Sequence, residues 1–248
     1  MRRDGNREAA FGRIPGIETV TRPDEILLAG GRTTQGVVRV GDTVRRPSGL
    51  HSHFVSALLR HLAAAGFDGA PRALGRDDCG RDILAWIDGE VPAELSIHSD
   101  EVLAAAARLI RRYHDATAPL VATPAAQAAG IEVVCHNDLS PCNFVFRAGL
   151  PVAIIDFDAA SPGRRVHDLG YAAWLWLDLG NVELAAPGQR RRFQVFHDAC
   201  APGLSRAELI ASVLERQLEL ASQGRTKGNA AIVRWADDCR AWVQRNFA

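Results

Sequence analysis

The sequence predicts an α+β protein of two lobes, a small β-rich first lobe and a mainly helical second one, with a cleft where they meet. Three observations predict it. Short β-branched runs broken by Gly and Asp crowd residues 25–47. The texture turns helical after Asp88-Gly89, and from Asp168 onward apolar residues recur at helical spacing. With 248 residues, 47% of them hydrophobic, the chain can bury a sizeable core without a disulfide or metal staple.

The expected organisation is a flexible arm over 1–23, a first lobe over 24–88 and a second lobe over 89–248. The arm is polar and lacks any period. Ile26-Leu27-Leu28, Gly36–Val40 and Thr43-Val44-Arg45 read as strands, the last two joined by a Gly41-Asp42 hairpin turn. Ser52 is the expected cap of a helix whose Phe54, Val55, Leu58, Leu59 and Leu62 share a face, ending near Gly66. A second β pair falls at Arg72–Leu74 and Ile83–Ile87. Ser99 precedes a helix carrying Leu103, Ala106, Ile110 and Tyr113 on one side. Thr123-Pro124 and Gly130 bound a short helix. Val133-Val134, Phe144–Phe146 and Val152–Ile155 are short strands. Ser205 and Glu208 spell a capping box for a helix through Leu218, and Ile232, Trp235, Cys239 and Trp242 mark the last helix.

Composition excludes several classes. Basic and acidic residues number 29 each, so there is no electrostatic case for a nucleic acid or a polybasic membrane partner. The longest apolar run, Tyr171 to Leu177, falls far short of the ~20 residues that span a bilayer. Residues 1–16 carry four arginines and no apolar stretch, unlike a secretory signal. Cys79, Cys135, Cys142, Cys200 and Cys239 form no CxxC pair, which points to reduced thiols in a cytoplasm. Cys135 and Cys142 read as small buried hydrophobes. Arg190-Arg191-Arg192 reads as a solvated helix face. Lys227 is the only lysine. None of this reports the oligomeric state.

Two segments carry chemistry: Cys135-His136-Asn137-Asp138-Leu139-Ser140-Pro141-Cys142-Asn143, and Ile154-Ile155-Asp156-Phe157-Asp158. A hairpin turning at Ala148-Gly149 brings Asn143 and Asp156 together at its open end. Hard oxygen groups there suit Mg²⁺, which keeps waters and bridges substrate phosphates. Asp158 is read as a solvated turn acid rather than a third ligand.

His-x-Asp-x-x-x-x-Asn followed by an apolar strand ending in Asp is the layout of phosphoryl-transfer enzymes. The chain resembles the aminoglycoside phosphotransferase and choline kinase branch of the protein-kinase-like superfamily, strongly over Val133–Gly170 and loosely from Leu27 onward. The resemblance implies a protein-kinase-like fold, ATP or GTP with Mg²⁺ as cofactors, and a small-molecule hydroxyl as acceptor. By position it makes Asp138 the catalytic base, His136 a residue orienting the same loop, Asn143 and Asp156 the metal ligands, and Asp168 the brace of the catalytic loop. It sets Thr33 and Thr34, in the Gly-rich Gly30–Gly36 stretch, near the phosphates. Backbone groups at Ala85 and Ile87 would meet the adenine edge, with the Trp86 side chain packing between lobes.

The first lobe departs from the family pattern. The lysine that pairs the α/β-phosphates is absent, and Arg45 aligns best with its place, with Arg46 in reserve. The helix after Ser52 has no Asp or Glu to hold such a cation. The arginine then works unpaired against the nucleotide, or a different acid reaches it, or nucleotide binding is impaired. From residue 178 to the end, ten basic and eight acidic residues do not favour a polycationic acceptor. The leading function is an ATP- and Mg²⁺-dependent small-molecule phosphotransferase. The alternative is a non-catalytic kinase-like binding or immunity protein, since the stretch from Gly30 to Pro47 also resembles bacterial phosphotransferase-related proteins labelled trifolitoxin immunity proteins. A metal-dependent hydrolase ranks third, its His/Asp set being sparse.

Overall fold

A computed structural model describes residues 24–28 and 35–247. The arm expected over 1–23 and the Gly30–Thr34 segment, with Thr33 and Thr34, lie outside the described residues. The first lobe is a five-stranded antiparallel sheet in the order β1-β2-β3-β5-β4, made of β1 (Ile26–Leu27), β2 (Val38–Val40), β3 (Thr43–Arg46), β4 (Ala73–Arg76) and β5 (Asp82–Ala85). Val40 pairs directly with Thr43, so Gly41-Asp42 forms the two-residue turn, with Gly41 at φ 55° where its missing Cβ costs nothing.

Helix α1 (Ser52–Ala64) buries Val55, Leu58, Leu59 and Leu62, while Phe54 sits at the rim. Its cap differs from the expected one. His51 occupies the N-cap without a side-chain hydrogen bond, and the Ser52 hydroxyl accepts from the Gly49 N–H at 2.8 Å. The Trp86 ring lies 4.2 Å from the Arg39 guanidinium of β2, and its Nε1–H donates to Asp88.

The second lobe begins with α2 (Asp100–Thr117), capped by Ser99, and the short α3 (Pro124–Ala128), capped by Thr123. β6 (Val133–Cys135) pairs with β9 (Ser161–Gly163), and between them β7 (Phe144–Arg147) and β8 (Leu150–Ile154) form the hairpin. Four helices close the lobe: α4 (Arg165–Trp176), α5 (Ala186–Cys200), α6 (Arg206–Thr226) and α7 (Ala230–Phe247). The capping box at Ser205 and Glu208 is present, yet α6 continues two turns past Leu218, because Ala221 and Gly224 pack inward and Gly224 lets α7 approach. Trp176 meets Phe144 edge-on at 4.8 Å and has the Phe146 and His98 rings at 6.1 and 5.0 Å, and Trp174, Phe193 and Phe196 are also fully buried.

Of Arg190-Arg191-Arg192, the first two are exposed, as a solvated face requires, and only Arg192 is buried. Arg191 pairs with Asp100 of α2, Arg190 donates to the Asn246 carbonyl, and the buried Arg192 donates to the His98 carbonyl, so the run ties α5 to its neighbours. All five cysteines are free thiols, and burial pushes Cys200 up to about 12. No helix among the described residues is long and apolar enough to cross a membrane. The two-lobed α+β arrangement is as the sequence predicts.

Candidate active site

The apolar strand β6 delivers His136-Asn137-Asp138 to the joint between the lobes. Asp168, in the first turn of α4, holds that segment. Its Oδ2 accepts from the His136 N–H at 2.9 Å and from His114 Nε2 at 2.8 Å, and its Oδ1 accepts from the Asn137 N–H at 2.8 Å. Burial pushes the Asp168 carboxyl up, but the His114 hydrogen bond and charge together with the backbone donors outweigh it and hold the group below the usual carboxylate range. Asn137 takes a left-handed conformation, φ 65°, and its side chain donates to the Ala159 carbonyl and the Ser161 hydroxyl, both at 2.9 Å. Asn tolerates that conformation better than most L-residues.

His136 is fully buried. Its Nδ1 accepts from the Asp138 N–H at 3.3 Å, so the proton sits on Nε2, which donates to the Ile155 carbonyl at 3.1 Å. The imidazole thus ties the Asp138 loop to the Asp156 strand end and does not reach solvent.

Asp138 is gripped on both oxygens. Asn143 Nδ2 donates to its Oδ2 at 2.8 Å and to its backbone carbonyl at 2.8 Å, and the Tyr171 hydroxyl donates to Oδ1 at 3.0 Å. Because the Asn143 nitrogen is engaged this way, its amide oxygen is left for another partner. The hairpin places Asn143 as expected: Phe144 pairs with Ile154, and the Ile155 N–H donates to the Asn143 carbonyl at 2.9 Å, which sets Asn143 and Asp156 at one mouth. Asp156 is also left-handed, φ 65°. Burial pushes its carboxyl up, a shift that nearby Arg46 partly offsets. Among the described residues no three His, Cys, Asp or Glu side chains form a metal cluster. An amide oxygen and a carboxylate fit a cation that completes its shell with water and phosphate oxygens.

The first-lobe cation needs correction. Arg45 points away from the cleft. Its Nη1 donates to the Thr43 hydroxyl at 2.5 Å and its Nε lies 3.8 Å from Asp77. Successive strand side chains alternate faces, so Arg46 is the one that faces the second lobe, 3.6 Å from Asp156 and hydrogen-bonded to Asp158. Asp158 is a solvent-exposed turn acid, as expected, but one that is ion-paired with Arg46. A cavity of about 20 Å³ between α1 and the sheet is lined by Arg46, Ser52, Ser56 and Asp158, where α1 presents hydroxyls and no carboxylate.

At the lobe junction the Ala85 N–H donates to the Arg72 carbonyl at 2.9 Å, whereas Ile87 backbone groups make no hydrogen bond among the described residues. Sequence reasoning missed His114, Tyr171 and Arg216. The first two sit within helical periodicity that looks purely structural. Arg216 reaches across from α6 to donate to the Asn137 carbonyl at 3.1 Å, a link no local pattern encodes.

Residues 117–208 match the phosphotransferase enzyme family. The trifolitoxin immunity protein of Rhizobium leguminosarum bv. trifolii is 38% identical over 178 residues, 65% of this chain and 66% of that protein, so the aligned part falls just short of two thirds of the relative's length. Among solved structures, the GDP complex of aminoglycoside 2'-phosphotransferase-IIIa superposes with TM-score 0.61 at 14% identity, covering 92% of this chain and 95% of that one. A choline/ethanolamine kinase family protein from Mesorhizobium loti gives 0.54 at 19% identity, covering 90% and 87%. At these identities the likeness is one of fold.

Proposed function

We propose that this chain, whose residues 117–208 match the phosphotransferase enzyme family, transfers the terminal phosphoryl group of a nucleoside triphosphate to a hydroxyl of a small molecule. The observation that carries this reading is the convergence of Asp138, Asn143, Asp156 and Arg46 at one mouth, each held by hydrogen bonds or ion pairs. Asn143 and Asp156 would hold the Mg²⁺ of the nucleotide, which when bound neutralises phosphate charge. Arg46 binds phosphate oxygens through its fork of N–H donors and needs no lysine. Asp158 supplies the acid that α1 lacks. Ile87 offers backbone groups to the base.

Asp138 does the acid–base work. It orients the acceptor hydroxyl and takes its proton as the new O–P bond forms and the bond to the departing diphosphate breaks. With few covalent tasks left, positioning and charge supply most of the rate. The test is transfer of labelled phosphate from ATP to a panel of alcohols. Asp138→Asn is expected to cut turnover at least a hundredfold while nucleotide affinity stays within about threefold. Unchanged turnover removes Asp138 as the base.

A second reading has its own support, the 38% identity to a protein named for immunity. There the same cleft holds a nucleotide or small ligand without turnover. It is favoured if Mg·ATP binds but no acceptor is phosphorylated.

A further inference from the structure

We propose that Tyr171 is a positioning residue for Asp138, itself held by Arg216, so that helices α4 and α6 of the second lobe set the angle of the reactive carboxylate. The proposal rests on the reading of Asp138 as the base. Tyr171 and Asn143 each donate to a different oxygen of Asp138, at 3.0 and 2.8 Å, from different elements, which fixes the plane of the carboxylate. An ionised carboxylate has about four acceptor sites, so an acceptor hydroxyl still finds a free lone pair.

Tyr171 is in turn fixed. The Arg216 guanidinium lies 4.9 Å from its ring centre, and Trp174 meets it edge-on at 6.2 Å. Arg216 is largely buried and donates to the Asn137 carbonyl at 3.1 Å and to Glu219 at 2.8 Å. One side chain of α6 therefore clamps the residue before Asp138 and the ring that holds Asp138. Burial and the Asp138 charge push Tyr171 ionisation upward, so its hydroxyl keeps its proton and remains a donor.

Tyr171→Phe removes one oxygen and keeps the ring. It is expected to lower kcat about tenfold, the scale of one hydrogen bond to a charged group, with Kd for Mg·ATP changed less than twofold. The Asn143 side-chain amide resonances should move as well, because a released Asp138 carboxylate is free to turn. Arg216→Lys keeps the charge but cannot bridge Asn137 and Glu219 at once, and is expected to lower kcat in the same direction. An unchanged kcat for both variants of an active enzyme overturns the proposal, as do Asn143 signals that stay in place in Tyr171→Phe. If the wild type phosphorylates nothing, the base reading fails, and the Asn143 signals alone decide whether Tyr171 holds Asp138.

Discussion

Asp168 shows how one buried carboxylate organises the loop from His136 to Asn143. Three donors converge on it, two of them backbone N–H groups of His136 and Asn137. Asp168→Ala leaves all three unsatisfied and is expected to destabilise the fold by about 3–5 kcal/mol, read from denaturant unfolding. The native carboxyl is held below its ordinary 3.8. Its contribution is therefore present above the unfolded value and is lost as pH falls through the lower native one. Wild-type stability should drop more steeply than that of Asp168→Asn below about pH 4, and parallel curves would contradict this. The two arginines of β3 make a second residue-scale case. Arg46→Ala is expected to weaken Mg·ATP at least tenfold and Arg45→Ala to leave it nearly unchanged, by calorimetry. The reverse order would return the phosphate contact to Arg45. Alignment alone could not separate neighbours one residue apart; strand alternation separates them once the faces are known.

Helix packing explains a glycine that looks out of place. Gly170 stands mid-helix in α4, where a Cβ would come 2.7 Å from the Ser212 backbone carbon and 2.5 Å from its hydroxyl. The close approach of α4 and α6 is what carries Arg216 to the Asn137 carbonyl. Gly170→Ala is expected to cost about 1–3 kcal/mol by overpacking, despite the better helix propensity of alanine. A gain in melting temperature would show that the two helices part easily. Element boundaries were mostly legible, since caps such as Ser99, Thr123 and Ser205 are local signals. The cap at Ser52 was not, because a serine before an apolar face looks the same whether it caps or follows the cap.

Across the whole molecule, the two-lobed plan was legible because the β-rich and helical textures divide at Asp88-Gly89, and the hairpin joining Asn143 to Asp156 follows from alternating strands around Ala148-Gly149. What stayed hidden spans long sequence distances. The Arg46–Asp158 pair closes 112 residues, and Arg216 reaches back 79 to Asn137. Such contacts depend on how the lobes and helices dock, which no local spacing reports. The Arg46–Asp158 pair also joins the sheet to the Asp156–Asp158 turn, so the nucleotide reading stands or falls with it. Calorimetric titration of Mg·ATP into the wild type and Asp156→Ala tests it most directly. Saturable binding that needs Mg²⁺ and vanishes in Asp156→Ala is the expected result. No binding to the wild type, or equal binding by the variant with and without Mg²⁺, would contradict it.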